Sequence, residues 1–148
     1  FLKYNFPIAT LFLGDSGSYF LGTVIAISVI KTSIANPLIS PFYFCILLFY
    51  LFFEVFFSFT RKIAVKNSSP LFPDKEHLHM LLYKILLKKN NDNSKNNYSV
   101  SIIINLTYLI LIIPAIFMMN NGLFCKYYFI VSFVIYLAAY KISYEKTK

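Results

Sequence analysis

Long apolar runs divide this chain into four segments, each close to the length that a membrane-spanning helix needs. At their approximate limits the runs cover residues 19–35, 42–60, 100–119 and 127–142. A helix rises about 1.5 Å per residue, so about 20 apolar residues cross the hydrocarbon core of a bilayer. Pro114, near the far end of the third run, predicts a kink. The pattern predicts an all-α, polytopic membrane helix bundle of about four transmembrane helices, in a single membrane domain that covers residues 1–148.

Polar residues concentrate in one long segment, residues 61–99, between the second and third runs. This loop and the tail after the fourth run hold most of the Lys and Arg residues, whereas the two short loops opposite hold only Lys31 and Lys126. The positive-inside rule therefore predicts that the long loop, the C-terminus and the stretch up to residue 18 face the cytoplasm. Within the loop, residues from about 74 to 87 predict a short amphipathic helix on the membrane surface. Residues 88–97 (KKNNDNSKNN) predict a flexible connection.

The composition supports a membrane protein and argues against nucleic-acid binding. Hydrophobic residues make up 58% of the chain and charged residues 14%, against about 45–50% and about 25% in average soluble proteins. The net charge of +8 comes from basic residues that flank apolar runs and form no platform interleaved with aromatic residues. Cys45 and Cys125 have no neighbours at metal-ligand spacing, so both are expected to be free thiols.

The first candidate site is the sequence FLGDSGSYFLG, residues 12–22, at the start of the first apolar run. Its simplest interpretation is a helix N-cap, in which Asp15, Ser16 or Ser18 binds free N–H groups at the helix start. The alternative is a metal or phosphate site, because glycines let the backbone approach an anion and a helix N-terminus favours negative charge. In that case Asp15 would hold Mg²⁺ through a carboxylate oxygen.

The second candidate site lies in the polar loop, in the sequence SPLFPDKEHLHMLL of residues 69–82. It holds the two histidines of the chain, His77 and His79. Their i, i+2 spacing puts them on different faces of a helix, so a helical zinc pair is not expected. The histidines are either solvated side chains of a loop or part of a positively charged lid that contacts a diphosphate.

Glu54 is the third candidate, because it lies inside the second apolar run. It precedes Arg61 by seven residues, which corresponds to about 10 Å along a helix axis. An ionisable side chain at that depth is costly and usually faces the interior of a bundle. This position therefore favours a functional role.

Together the three features resemble the polyprenyl-phosphate N-acetylhexosamine-1-phosphate transferases (glycosyltransferase family 4, of the undecaprenyl-phosphate GlcNAc-1-phosphate transferase type). The family pattern runs F-x-G-D-x-G-S-x-x-L-G, then a span with an intramembrane acid, a basic pair, and D-[RK]-x-H-[LI]-H-H-x-L. This chain has FLGDSGSYFLG, then Glu54, Arg61-Lys62 and DKEHLHMLL, in the same order. The likeness covers about residues 7–82. Met80 stands where the family usually has another histidine, and Glu54 stands where aspartate is commoner.

The resemblance implies a reaction at the cytoplasmic face of the bacterial inner membrane. An N-acetylaminosugar 1-phosphate, expected to be GlcNAc 1-phosphate, would pass from a UDP-sugar to undecaprenyl or another polyprenyl phosphate and release UMP. This would be the first step of a cell-envelope polysaccharide pathway such as that of lipopolysaccharide. The implied cofactor is Mg²⁺, or Mn²⁺ in its place. The implied partners are the UDP-aminosugar, the polyprenyl phosphate and membrane lipid, without nucleic acid, and a homodimer is left open.

The resemblance also implies roles for individual residues of the three features. Asp15 would be catalytic and would bind the metal, and His77 and His79 would be catalytic residues that clamp the diphosphate or the nucleotide. The implied substrate-binding residues are Gly14, Ser16, Gly17, Ser18, Glu54, Arg61, Asp74 and Lys75. Asp74 has two open roles, because it could orient a neighbouring histidine or cap the surface helix.

Family members also carry upstream acidic motifs, and this chain has no such run. It is therefore expected to be the C-terminal part of a longer enzyme and to be inactive alone. One alternative is a non-catalytic polytopic membrane protein, such as a transporter fragment, which explains the spans but not the two motifs. The other is a degenerate pseudo-enzyme, which Met80 and the missing motifs would fit.

Overall fold

The computed structural model of the protein describes residues 2–6, 10–64, 69, 74 and 76–148, and all regular secondary structure in these ranges is helical. The helices are α1 (Leu2–Asn5), α2 (Gly14–Ala35), α3 (Pro41–Leu47), α4 (Phe49–Ala64), α5 (Leu78–Leu87), α6 (Asn93–Phe117) and α7 (Gly122–Thr147). The all-α prediction is confirmed for this part of the chain.

Three helices of the described ranges, α2, α6 and α7, are each long and apolar enough to cross a bilayer. They contain 22, 25 and 26 residues, which gives each at least about 33 Å, whereas the hydrocarbon core is about 30 Å thick. Helices α3 and α4 form a fourth span if they are counted together. The chain is therefore a multi-pass membrane protein with three or four spanning helices in the described ranges, as the apolar runs predict.

The second predicted span is not one continuous helix, because α3 and α4 meet at an angle of 77°. The break is at Leu48, whose φ of −109° and ψ of 10° depart from helical values. At this bend the hydroxyl of Tyr108, on α6, donates a hydrogen bond to the carbonyl of Leu47. A side chain that enters the ladder of backbone hydrogen bonds is a common cause of a helix kink. The apolar pattern could not reveal the bend, because the residues on both sides of Leu48 are apolar.

Hydrogen bonds join the loops at each end of the bundle. The N–H of Ser40, in the loop after α2, donates to the carbonyl of Met119, in the turn after α6, at 2.9 Å. The ammonium of Lys88, just after α5, donates to the carbonyl of Lys146, near the C-terminus, also at 2.9 Å. The two short loops therefore share one end of the bundle, and the polar loop shares the other end with the C-terminal tail, as the charge pattern predicts.

The buried core is small and lies where the bent pair meets α6 and α7. Ile46, Ala115 and Cys125 are fully buried at the centre of one cluster, and a second, aromatic cluster lies between α4 and α7. Cys45 and Cys125 are free thiols, as predicted. Helix α2 has no buried residue, and large apolar side chains are exposed along all the spanning helices. Such a surface suits a protein that is solvated by lipid, because a bilayer accepts the apolar area that water would exclude.

The flexible connection predicted for residues 88–97 is wrong over its second half, because α6 begins at Asn93. The side chain of Asp92 caps this helix by accepting a hydrogen bond from a backbone N–H of the first turn at 3.1 Å. Asn96 is buried, and its amide donates to the carbonyl of Asn90 at 2.6 Å. Side chains of Asn and Asp that cap helices and close turns therefore order a segment whose composition alone suggests disorder.

Candidate active site

Glu54, Ser58 and Arg61 form one buried polar face of α4. Residues spaced i, i+4 and i+7 lie on the same side of a helix. Glu54 is only 7% exposed, so it faces the interior of the protein, as an ionisable residue inside a span is expected to do. The partners of this face come from α7 and from the segment that leads into α5.

The carboxylate of Glu54 joins α4 to both of these neighbours. Its Oε2 lies 2.8 Å from Nδ1 of His77. Its Oε1 accepts hydrogen bonds from the N–H of Leu78 at 3.0 Å and from the hydroxyl of Tyr136 at 3.1 Å. Leu78 is the first residue of α5, and the N-cap residue itself makes no side-chain cap. Glu54 therefore fills both of the roles that the sequence left open for Asp74, because it orients a histidine and caps the short helix.

Arg61 forms the second half of the cluster, two turns further along α4. Its guanidinium pairs with the carboxylates of Asp74 and Glu76. It also donates to the hydroxyl of Tyr140 at 2.6 Å, and its central carbon lies 5.4 Å from the centre of that ring. The side chains of Arg61 and Asp74 are only 8% and 5% exposed. A buried ion pair thus holds the segment that leads into α5 against α4 and α7.

Asp74 is a partner of Arg61 rather than of a histidine or of the α5 N-terminus. Its Oδ1 accepts a hydrogen bond from the N–H of Glu76 at 3.0 Å, and its Oδ2 accepts from Ser58 and Arg61. Burial alone would raise the pKa of Asp74, but these hydrogen bonds and the charge of Arg61 outweigh burial and lower the pKa to about 2. The carboxylate is therefore ionised throughout the neutral range.

The two histidines come together because His77 lies outside the helix. It is the N-cap residue of α5 and has an extended backbone, with φ −63° and ψ 150°, so helical i, i+2 spacing does not apply. The rings of His77 and His79 stack, with centroids 5.5 Å apart and an interplanar angle of 10°. Burial lowers the pKa of His79; the charge of Glu54 opposes this effect, and His77 adds to it. In the described ranges, no group of three His, Cys, Asp or Glu side chains is placed to hold a metal ion.

The first motif forms the N-terminal turn of α2, which begins at Gly14. Gly14 has a φ of +67°, a left-handed conformation that favours glycine. The N-cap residue is Leu13, which makes no side-chain cap, so the N-cap interpretation of Asp15, Ser16 or Ser18 is wrong. Asp15 is exposed in the first turn, and the hydroxyl of Ser18 donates to its backbone carbonyl at 2.8 Å. The carboxylate is therefore presented to its surroundings at the positive end of the helix dipole.

Close packing at Gly17 shapes the same turn. A Cβ at this position would lie 2.7 Å from the side chain of Leu13, so glycine lets Leu13 fold over the turn.

No hydrogen bond or ion pair between described residues joins this turn to the Glu54–His77 cluster. Helix α2 ends at Ala35, beside the loop that meets Met119. The N-terminal turn of α2 therefore lies at the opposite end of that helix, away from the short loops.

Sequence reasoning missed two tyrosines that complete the cluster. Tyr136 and Tyr140 lie one turn apart on α7, and their hydroxyls reach Glu54 and Arg61 respectively. The available signal was that two tyrosines one turn apart share a face of the fourth apolar run. The chain contains 12 tyrosines, so this spacing alone does not single out the pair.

Lys75 and Arg61 complete the set of expected substrate-binding residues. Lys75 lies outside the described residues. Arg61 uses its guanidinium in the ion pairs within the protein, and a cavity of about 370 Å³ opens beside it, lined also by Phe57, Glu76 and Tyr144. A direct contact between Arg61 and a substrate therefore stays a prediction, whereas its contacts with the loop are observed.

A known protein resembles this chain over nearly its whole length, and a family model matches its first 33 residues. The sequence model of the family described as glycosyl transferase family 4 matches residues 1–33. The undecaprenyl-phosphate alpha-N-acetylglucosaminyl 1-phosphate transferase of Thermotoga maritima is 30% identical over 135 residues, which cover 91% of this chain and 39% of that protein. The chain thus spans about two fifths of the length of this curated relative. No solved structure matches the chain with significance.

Proposed function

Because this chain belongs to glycosyl transferase family 4, we propose that the protein containing it transfers N-acetylglucosamine 1-phosphate from UDP-N-acetylglucosamine to undecaprenyl phosphate. One observation carries the proposal: the similarity to the Thermotoga maritima transferase extends over 91% of the chain. The geometry supports it, because an exposed carboxylate and a positioned histidine are groups that phosphate chemistry uses.

The proposed reaction moves a phosphorylated sugar from a nucleotide to a lipid. An oxygen of the lipid phosphate attacks the β-phosphorus of the UDP-sugar, and the bond from that phosphorus to the bridging oxygen breaks. UMP leaves with the bridging oxygen, and a lipid-linked diphosphosugar remains. Negative charge is crowded around the reacting phosphorus, so the main tasks of the protein are positioning and charge neutralisation.

Asp15 is the described residue that best fits a magnesium ligand. Its carboxylate is exposed at a helix N-terminus, and Mg²⁺ in such enzymes is often bound by one or two carboxylates together with substrate phosphates. The turn that presents this carboxylate would be shaped by Gly14, Ser16, Gly17 and Ser18. The free N–H groups of this turn favour phosphate oxygens. A bound Mg²⁺ would neutralise the diphosphate and make its phosphorus easier to attack.

His77 would contact the phosphates from the loop side of the site. Its Nδ1 faces the carboxylate of Glu54, so its Nε2 is left for a phosphate oxygen, to which a protonated ring can donate. His79 stacks on this ring and would offer a second donor. Arg61 would support the arrangement from behind, because its ion pairs hold the residues that precede His77. The reaction would take place at the cytoplasmic face, where the positive-inside rule puts the loop.

Release of UMP tests the proposed function. The complete protein, supplied with UDP-N-acetylglucosamine, undecaprenyl phosphate and Mg²⁺, is expected to release UMP and to form a lipid-linked diphosphosugar. Omission of the lipid phosphate should stop the release, and so should chelation of the metal, since both take part in the proposed reaction. Absence of UMP with all components present would favour a non-catalytic membrane protein. UMP release without the lipid phosphate would indicate hydrolysis and would also contradict the proposal.

A further inference from the structure

We propose that Tyr136 is a positioning residue that acts on His77 through Glu54. The inference rests on the proposed function, because it assigns Tyr136 a role in that reaction. Tyr136 is 6% exposed, and it is separated from Glu54 by 82 positions in the sequence. Nothing in either motif points to it, because it lies in the last spanning helix.

The contacts of the Glu54 carboxylate explain how a hydroxyl on α7 can affect a ring in the loop. Oε1 accepts from two donors, the hydroxyl of Tyr136 and the N–H of Leu78. Two donors on one oxygen fix the rotation of the carboxylate about its last bond, and the other oxygen then faces Nδ1 of His77 at 2.8 Å. Without the Tyr136 hydroxyl, Oε1 keeps the N–H of Leu78 as its donor among the described residues, and one restraint on this rotation is lost. The carboxylate would then hold the imidazole ring in more than one orientation.

The orientation of His77 matters because its two ring nitrogens have different tasks. An ionised carboxylate only accepts hydrogen bonds, so it would favour a proton on the nitrogen that faces it, and Nε2 would donate to a phosphate oxygen when the ring carries both protons. Nε2 then faces away from Glu54 and is the atom that would meet a phosphate oxygen. Partners of a functional histidine that fix its tautomer and orientation typically contribute 10–100-fold to activity where this has been measured at metal sites. Tyr136 would contribute in the same way, although it contacts Glu54 and not the histidine itself.

Helix α7 supplies a matched control for the loss of one buried hydroxyl. The hydroxyl of Tyr128 donates to the carbonyl of Leu111, on α6, at 3.0 Å, so it links the same helix to a neighbour without reaching the site. Tyr136→Phe and Tyr128→Phe each remove one hydroxyl that donates a hydrogen bond and keep the aromatic ring. The ring centroids of Tyr136 and Phe53 are 5.6 Å apart. The phenylalanine introduced at position 136 preserves this ring contact.

The first experiment compares the kinetics of these two variants in the complete protein. Tyr136→Phe is expected to lower kcat for UMP release about 10-fold. It should change the KM for UDP-N-acetylglucosamine by less than about 2-fold, because the lost hydroxyl touches no substrate. Tyr128→Phe should keep both values within about 2-fold of wild type, with a melting temperature in detergent similar to that of Tyr136→Phe. Equal kcat values for the two variants would overturn the inference.

A double-mutant cycle separates positioning of His77 from a structural effect. In a His77→Ala background there is no ring to orient, so Tyr136→Phe should change kcat by less than about 2-fold. A full 10-fold loss that persists in this background would overturn the inference while the proposed function still stood. A wild-type protein that releases no UMP would overturn both, so the two failures are distinguishable.

Discussion

Replacement of Asp15 by asparagine is expected to lower UMP release by the complete protein at least about 100-fold, because a metal that stabilises transition-state charge contributes several kcal/mol. Asparagine has nearly the shape of aspartate but lacks the charge that holds Mg²⁺. The side chain is exposed and neither caps α2 nor packs in the core, so folding and membrane insertion should be unaffected. Initial rates of UMP release, normalised to the amount of protein in the membrane fraction, measure the effect.

Asp92→Asn is the matched control for this substitution. Asp92 also lies at the N-terminal end of a spanning helix, where its side chain caps α6, but it belongs to neither motif. This variant should keep wild-type turnover within about 2-fold, since asparagine caps helices nearly as well as aspartate. An Asp15→Asn protein as active as Asp92→Asn would remove Asp15 from the metal site. Loss of Asp15→Asn from the membrane fraction would show instead that the residue is needed for folding.

Arg61→Ala is expected to destabilise the protein by about 3–5 kcal/mol, the usual effect of removing one partner of a buried ion pair. The substitution leaves two carboxylates, Asp74 and Glu76, without the guanidinium that neutralises them. It also removes a donor to the hydroxyl of Tyr140. Thermal unfolding of the detergent-solubilised protein should show a melting temperature lowered by about 10 °C. Activity should fall as well, because Asp74 and Glu76, just before His77, lose their ion pairs with α4.

Lys84→Ala controls for the loss of a positive charge near the same end of the bundle. Lys84 is exposed on α5 and forms no ion pair with another described residue, so its removal should change stability by less than about 0.5 kcal/mol. Combining Arg61→Ala with Asp74→Ala should cost less than the sum of the single changes, because the partners are then removed together. Equal melting temperatures for Arg61→Ala and Lys84→Ala would show that the ion pair does not hold the loop.

The membrane architecture was predictable from the sequence because the bilayer imposes a simple length on its helices. The apolar runs and the distribution of Lys and Arg gave the spans, and they grouped the short loops at one end, as the bond between Ser40 and Met119 confirms. The bend at Leu48 was not predictable, since apolar residues surround it in the sequence and the hydroxyl that meets Leu47 comes from Tyr108, 61 positions away. The start of α6 was missed because capping by Asp92 depends on backbone geometry rather than on composition.

The candidate site was only partly predictable, because its key contacts join distant parts of the chain. The burial of Glu54 followed from the cost of a charge inside a membrane. Its partners, His77 and Tyr136, lie 23 and 82 positions away, and no local pattern specifies such pairings. Neither of the two roles left open for Asp74, orienting a histidine or capping the surface helix, is the one observed, because its carboxylate pairs with the guanidinium of Arg61. Both motifs, Glu54 and Arg61 were recognisable, whereas the contacts that join them and the two tyrosines of α7 were not.

The most direct test of the account asks whether Asp15 and His77 face the same side of the membrane. Single cysteines replace Ser16, His79 or Leu38 in a Cys45→Ser background, in which the remaining Cys125 is buried. A membrane-impermeant maleimide is then applied to right-side-out and to inside-out vesicles. We expect positions 16 and 79 to be labelled from the cytoplasmic side and position 38, in the short loop after α2, to be labelled from the other side. Labelling of positions 16 and 79 from opposite sides would contradict it, because no single site could then include both Asp15 and His77.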